Sequence, residues 1–248
     1  MPGYQVKTET IALGGTDWHI RCLIDDQQFN DSHHAAADIG LPSAGWSHFG
    51  QVWPSSRVLA LAMLTHPLSG LRVLEIGAGL ALASLVMHRR GADVTVSDWH
   101  PLTEEFLRHN LVLNDLGPLT YEAGNWESVA ATDNPALGLF DLIVGSDLLY
   151  ERQQPAQLAA FIHRHAAVGA EIVIVDPDRG NRAAFGRDMG MLGFVLTMRV
   201  AHRDLEDGTA FKGRFLSFTR CREAPRSSFH VSLPPKGSLQ SLRAASLL

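Results

Sequence analysis

A short apolar strand, a glycine turn and a helix, packed into residues 71–82, restrict this chain more than any other stretch. Val73, Leu74 and Ile76 make the strand, Gly77 and Gly79 follow in a tight turn, and residues 81–88 read as a helix. Such a unit opens a nucleotide-binding βαβ motif. Glycine lets the backbone approach a ligand closely, and the helix N-terminus offers unpaired N–H groups. Taken alone, the same residues also describe an ordinary turn after a strand.

The flanking sequence repeats the unit. Strand 71–77 leads to helix 81–90, and strand 93–98 to helix 102–114. Strand 119–124 precedes a loop, strand 140–146 precedes helix 155–167, and strand 171–176 precedes helix 181–192. Two last strands, 194–201 and 211–219, are joined by the polar turn Glu206-Asp207-Gly208 with no helix between them. The expected fold is α/β, a doubly wound, mostly parallel seven-stranded Rossmann-like sheet closed by an antiparallel pair. Leu142-Ile143-Val144 and Ile172-Val173-Ile174-Val175 are continuous apolar runs, as strands buried on both faces should be.

Ahead of the sheet, residues 5–24 alternate loosely around Leu13-Gly14-Gly15-Thr16-Asp17, which predicts a β-hairpin. Residues 25–48 are polar and read as a loop or lid. A helix over 57–64 follows, with Pro54 in a favourable first-turn place. The expected division is a hairpin and loop extension over 1–48, the α/β domain over 49–220, and a Ser- and Pro-rich mobile tail over 221–248.

Composition excludes several classes. The 248 residues, 46% hydrophobic and 19% charged, suffice for one large domain with a substantial core. A net charge of −5 argues against nucleic acid and anionic membrane as partners. Cys22 and Cys221 make neither a disulfide framework nor a zinc site. His33-His34 has no third ligand at useful spacing, so no metal is expected. The first residues lack the apolar core of a signal peptide, and Arg72 and Glu75 interrupt the apolar stretch over 68–87, so no membrane span is expected. The expectation is a reduced, cytoplasmic, monomeric protein.

Further positions specify the ligand. Asp98 closes the strand after the glycines, where an acid accepts hydrogen bonds from ribose hydroxyls. Glu75 lies inside an apolar strand, where an unpaired carboxylate is costly and a ligand at the strand end would account for it. Leu82 stands where a dinucleotide fingerprint has its third glycine. The pattern E-x-G-x-G therefore resembles motif I of S-adenosylmethionine-dependent methyltransferases more than an NAD site, with Ala81 replacing the usual third glycine. Trp99 and Trp126 directly follow polar residues at strand ends and suit the face of an adenine. Each also reads as a plug for the top of the core.

Gly145-Ser146-Asp147-Leu148-Leu149-Tyr150-Glu151 is the most specific stretch. Here the chain resembles the seven-β-strand protein-lysine methyltransferases that carry an Asp-x-x-Tyr signature after the fourth strand. The resemblance covers about residues 45–200. It runs in family order through Val52-Trp53-Pro54, Val73-Leu74-Glu75-Ile76-Gly77-Ala78-Gly79, Val96-Ser97-Asp98, Asn125-Trp126 and Asp147-Leu148-Leu149-Tyr150. It implies S-adenosyl-L-methionine as cofactor, a protein lysine as acceptor, Trp53 enclosing the cofactor, and Asp147 and Tyr150 beside the transferable methyl. With strand ends added, the expected cofactor-binding set is Trp53, Glu75, Gly77, Gly79, Asp98, Trp99, Asn125, Trp126 and Ser146. Asp147 reads alternatively as a cap of the next helix. The Asn/Asp-Pro-Pro-Tyr loop of enzymes that methylate base amino groups or a glutamine amide is absent, as are the helper carboxylates of a catechol-type metal site. A small-molecule N-methyltransferase and a non-catalytic cofactor-binding module remain alternatives.

Overall fold

The computed structural model describes residues 3–126, 137–151 and 154–220; the tail over 221–248 lies outside them. Val6–Leu13 (β1) and Thr16–Leu23 (β2) pair antiparallel with Leu13 opposite Thr16. Gly14 and Gly15 both take positive φ, which a two-residue turn matching the strand twist requires. The polar stretch after the hairpin is more ordered than its composition suggests. It holds one helical turn, Ala35–Asp38 (α1), and a 3-10 segment, Ser43–Gly50. Asp31 accepts hydrogen bonds from the Ala36 and Ala37 N–H groups, while Trp46 and Phe49 sink into the core.

The main domain continues with Pro54–Met63 (α2), Arg72–Ile76 (β3), Leu82–Arg89 (α3), Asp93–Asp98 (β4), Thr103–Leu113 (α4) and Thr120–Ala123 (β5). Then come Phe140–Ser146 (β6), Gln154–His165 (α5), Ala166–Asp176 (β7), Arg182–Met191 (α6) and Phe194–Val200 (β8). Arg203–Asp204 (β9), Ala210–Phe211 (β10) and Arg214–Arg220 (β11) close the described chain. Seven strands form one sheet in the order β5-β4-β3-β6-β7-β11-β8. The first five are parallel, and β11 runs antiparallel to both its neighbours. This is the doubly wound architecture expected from the alternation.

Alternate residues of each strand feed opposite layers. Val73, Val94, Val96, Leu142 and Val144 pack with α2, α3 and α4, whereas Leu74, Ile76, Ile143, Ile172 and Ile174 pack with α5 and α6. The β1–β2 hairpin joins the first of these layers. Asn114, the residue that caps the end of α4, accepts from the His19 N–H (3.0 Å) and donates to the His19 carbonyl (2.8 Å), and Asn110 of α4 accepts from the Arg21 N–H (2.7 Å). Two buried amides thus stand in for a neighbouring strand on β2.

Two boundaries differ from expectation. Helix α5 ends at His165 and β7 starts at the next residue, five positions earlier than its apolar run. Ala166 pairs with Phe140 across an irregularity in the ladder, and Gly169 supplies the positive φ within this extra stretch. Between β8 and β11, the small β9–β10 hairpin occupies part of the anticipated last strand, turning at Gly208. Among the described residues no helix is long and apolar enough to cross a membrane.

Candidate active site

The strand order reverses between β3 and β6, and open α/β sheets bind ligands at the carboxyl ends of strands flanking such a point. A cleft of about 520 Å³ opens there, within the size range of small-molecule sites. Its floor is the turn after β3. Gly77 and Gly79 have φ of +55° and +52°. A Cβ on Gly79 would stand 2.9 Å from the Phe49 carbonyl oxygen, and one on Gly77 2.9 Å from the Trp126 ring. The floor is therefore bare backbone for a steric reason, and α3 begins just beyond it. Ala81, at the place of the missing third glycine, also takes positive φ (59°).

Asp98 anchors this floor. Its Oδ2 accepts from the Gly79 N–H and its Oδ1 from the His100 N–H, both at 2.8 Å. Burial pushes its carboxyl pKa above the ordinary value, against the pull of those hydrogen bonds. It lines the cleft beside Trp99. Glu75 does not. It is buried beneath the turn, where the Ser84 N–H (2.7 Å) and hydroxyl both donate to its Oε2. Burial pushes it up to about 7 despite those bonds. The ligand expected to satisfy Glu75 is thus replaced by a serine in the first turn of α3. Asn125 likewise stands one residue before the cleft-lining Trp126 and is not among the lining residues.

The walls are aromatic. Trp53 donates its indole N–H to the His48 carbonyl (2.9 Å), and the His48 ring meets Trp53 and Tyr150 edge-on at 5.9 Å from each. Phe49 stacks on His100 with ring centroids 3.7 Å apart, and burial holds the His100 pKa down to about 3. Trp126 lines the cleft and also packs on the core beneath it, so its two readings are compatible. Gly40, Leu41, Pro42 and Gly45, from the stretch read as a loop or lid, complete the wall.

At the end of β6 Ser146, and past it Asp147 and Tyr150, line the opposite side. Asp147 adopts φ of 56°, a strained region for a non-glycine residue and a frequent mark of functional loops. Its N–H donates to the Val175 carbonyl (2.9 Å). Arg179 donates to both carboxylate oxygens, through Nε to Oδ1 and through Nη2 to Oδ2 (3.0 Å), and the Ser55 hydroxyl approaches Oδ2 at 3.4 Å. Among the described residues the Asp147 carboxylate is thus engaged by Arg179 and Ser55. Asp176, at the end of β7, is fully buried nearby; burial raises its pKa to about 6, with Arg182 opposing and Asp147 reinforcing the rise.

Of the residues singled out from sequence, the fold brings Trp53, Gly77, Gly79, Asp98, Trp99, Trp126, Ser146, Asp147 and Tyr150 onto one cleft. Arg179, Ser55, His48 and Phe49 were missed. Arg179 had a signal, as a cation just beyond the acidic strand end Asp176-Pro177-Asp178. The other three follow no strand, and nothing in their spacing marks them.

A family model described as lysine methyltransferase matches residues 43–184, more than half of the chain. The electron transfer flavoprotein beta subunit lysine methyltransferase of Xenopus laevis is 30% identical over 131 residues, 51% of this chain and 51% of that protein. The histone-arginine methyltransferase METTL23 of Homo sapiens is 33% identical over 116 residues, 45% of this chain and 60% of that protein. The chain thus spans about half to three fifths of the length of these curated relatives. Among solved structures, a methyltransferase from Pyrococcus furiosus superposes with a TM-score of 0.53 at 17% identity, over 69% of this chain and 88% of that one.

Proposed function

The chain belongs to the lysine methyltransferase family, and from that premise we propose that it transfers a methyl group from S-adenosyl-L-methionine to the side-chain amine of a protein lysine. The observation that carries this reading is the cleft itself: a glycine floor held by Asp98 faces the Asp147–Tyr150 loop across a space suited to a nucleoside and an acceptor. The cofactor suits the residues present. Gly77 and Gly79 leave backbone room, Asp98 offers carboxylate oxygens to ribose hydroxyls, and Trp53, Trp99 and Trp126 offer apolar faces to the base and to the methionyl chain.

S-adenosyl-L-methionine supplies an activated methyl whose carbon–sulfur bond breaks as the acceptor nitrogen's lone pair forms the carbon–nitrogen bond, the bonding pair leaving with sulfur. The protein's part is alignment, which accelerates such transfers greatly. Asp147 and Tyr150 hold the acceptor, and Tyr150, itself exposed, leaves that end of the cleft open to the water that takes up the amine's proton. Ser146 is small and lines the cleft at the end of β6, while Gly145 beside it is bare because Leu148 and the Ile76 carbonyl fill the place of a side chain. Glu75 supports the turn through Ser84 without lining the cleft.

Arginine as acceptor is the second reading, since a histone-arginine methyltransferase is among the relatives. Lysine is favoured because both Asp147 oxygens, the fork a substrate guanidinium would use, are already engaged by Arg179. The reading extends to a monomer acting in the cytoplasm with 49–220 as the catalytic unit, and the net charge of −5 speaks against nucleic acid as its substrate. Incubation of a dialysed lysate with the protein and tritiated S-adenosyl-L-methionine tests it, with acid hydrolysis of the labelled protein. Label in methyl-lysine is expected. Label confined to methyl-arginine or to small molecules would replace the lysine assignment, and none at all would remove the activity.

A further inference from the structure

Arg179 stands on the loop between β7 and α6, yet its guanidinium is spent inside the cleft on Asp147. Two of its nitrogens reach the two carboxylate oxygens, the fork-to-fork arrangement that gives such pairs both strength and fixed geometry. The Asp147 side chain is only 10% exposed, whereas that of Arg179 is 44% exposed. The acidic member is therefore sheltered, and the cation is the more open of the two to solvent.

An acceptor lysine meets a contradiction at this place. In water its amine is protonated, with a reference pKa of about 10.4, and only the neutral amine has the lone pair that methyl transfer uses. A bare carboxylate at the end of the channel would attract the ammonium and raise its pKa further, holding the nucleophile in its inactive form. A carboxylate neutralised by a fixed guanidinium keeps its hydrogen-bonding oxygens and loses that effect. We propose that Arg179 is a positioning residue that makes the acceptor end of the cleft electrostatically neutral, so that the site takes up the substrate amine in its uncharged form. This rests on the methyl-transfer reading above.

The neighbouring charges leave Arg179 in that role. Asp178 on the same loop is engaged by Arg182 of α6 and Arg214 of β11. Asp176 on β7 is fully buried; burial raises its pKa to about 6, which leaves it mainly ionised at neutral pH, and Arg182 is the first charge set against it, ahead of Arg179. Ser55 of α2 touches the Asp147 carboxylate without charge. Tyr150 and Glu151 on the loop after β6, and His48 on the 3-10 segment, border the same cleft.

The first test needs no turnover. n-Butylamine, a cation at pH 7 and a mimic of the lysine side chain, is titrated into the S-adenosylhomocysteine complex and followed by NMR. Arg179→Gln should bind it about tenfold more tightly than wild type, because the carboxylate is unmasked, while Arg179→Lys, which keeps the charge, should stay near wild type. The second test is the pH dependence of label transfer to lysate protein. Removing the Arg179 charge should move the half-maximal pH upward by about one unit, the same tenfold effect expressed on the amine pKa. Equal n-butylamine affinity in wild type and Arg179→Gln would overturn the proposal, as would an Arg179→Lys variant that behaves like Arg179→Gln. A wild type that transfers no label at any pH would overturn the underlying methyl-transfer reading instead, and the two failures are separately visible.

Discussion

Glu75 carries a carboxylate into an otherwise apolar strand, and Ser84, nine residues later, makes that tolerable by donating twice to one oxygen. The strand acid was legible in the sequence, its partner was not. A ligand and a buried donor relieve the same desolvation cost, and only the path of the chain between β3 and α3 distinguishes them. The consequence is a pH signature. Burial raises the Glu75 pKa from 4.5 to about 7, so the folded state holds a proton that the unfolded state releases between those values. Its contribution to stability is complete below pH 4.5 and is lost as pH rises through 7, on the order of 3 kcal/mol. Denaturant titrations across that window should show the decline in wild type and a flatter profile in Glu75→Gln. Asp98 differs, because it both holds the Gly79 turn and faces the cleft. Asp98→Ala should weaken S-adenosylhomocysteine binding by about 1–3 kcal/mol in calorimetry, the cost of leaving donors unpaired. An unchanged dissociation constant would remove Asp98 from the ligand site.

At the scale of elements, strands β6 and β7 could be read from composition because each is buried on both faces and carries an unbroken apolar run, whereas β3, interrupted by Glu75, and β4, alternating through Thr95 and Ser97, were marked by the turn and acid at their ends. The β7 start could not, since Ala166, Ala167 and Gly169 carry little strand signal and are recruited by pairing with Phe140. The docking of the N-terminal hairpin was equally hidden. Asn110 and Asn114 look like ordinary polar positions of an amphipathic helix, yet both are buried against the free backbone edge of β2. Asn114→Ala would leave the His19 N–H and carbonyl without their partner and should cost about 1–3 kcal/mol in chemical denaturation. A loss below a few tenths of a kcal/mol would mean that the apolar face under Trp18 and Ile20 alone attaches the hairpin.

For the whole molecule, one topological fact gathers the chemistry: the sheet order reverses between β3 and β6, so loops far apart in sequence open on the same cleft. Trp53, the Gly77–Gly79 turn, Asp98, Trp126 and the Asp147–Tyr150 loop were legible because they flank strand ends or carry a family motif. The 3-10 segment that brings His48 and Phe49 over the cleft was not, because a polar stretch held by two or three aromatic anchors has no periodicity to read. The central claim is that Asp147 and Tyr150 act in methyl transfer, and the most direct measurement compares turnover with ligand binding in Asp147→Asn and Tyr150→Phe. Each variant is assayed for transfer of label to lysate protein and, separately, for S-adenosylhomocysteine affinity. Interactions realised in the transition state should appear in turnover alone. We predict folded variants with affinity within about threefold of wild type and transfer reduced at least about 100-fold, the scale of a lost acid–base or orienting group. Near-normal transfer in either variant would contradict the role assigned to that residue.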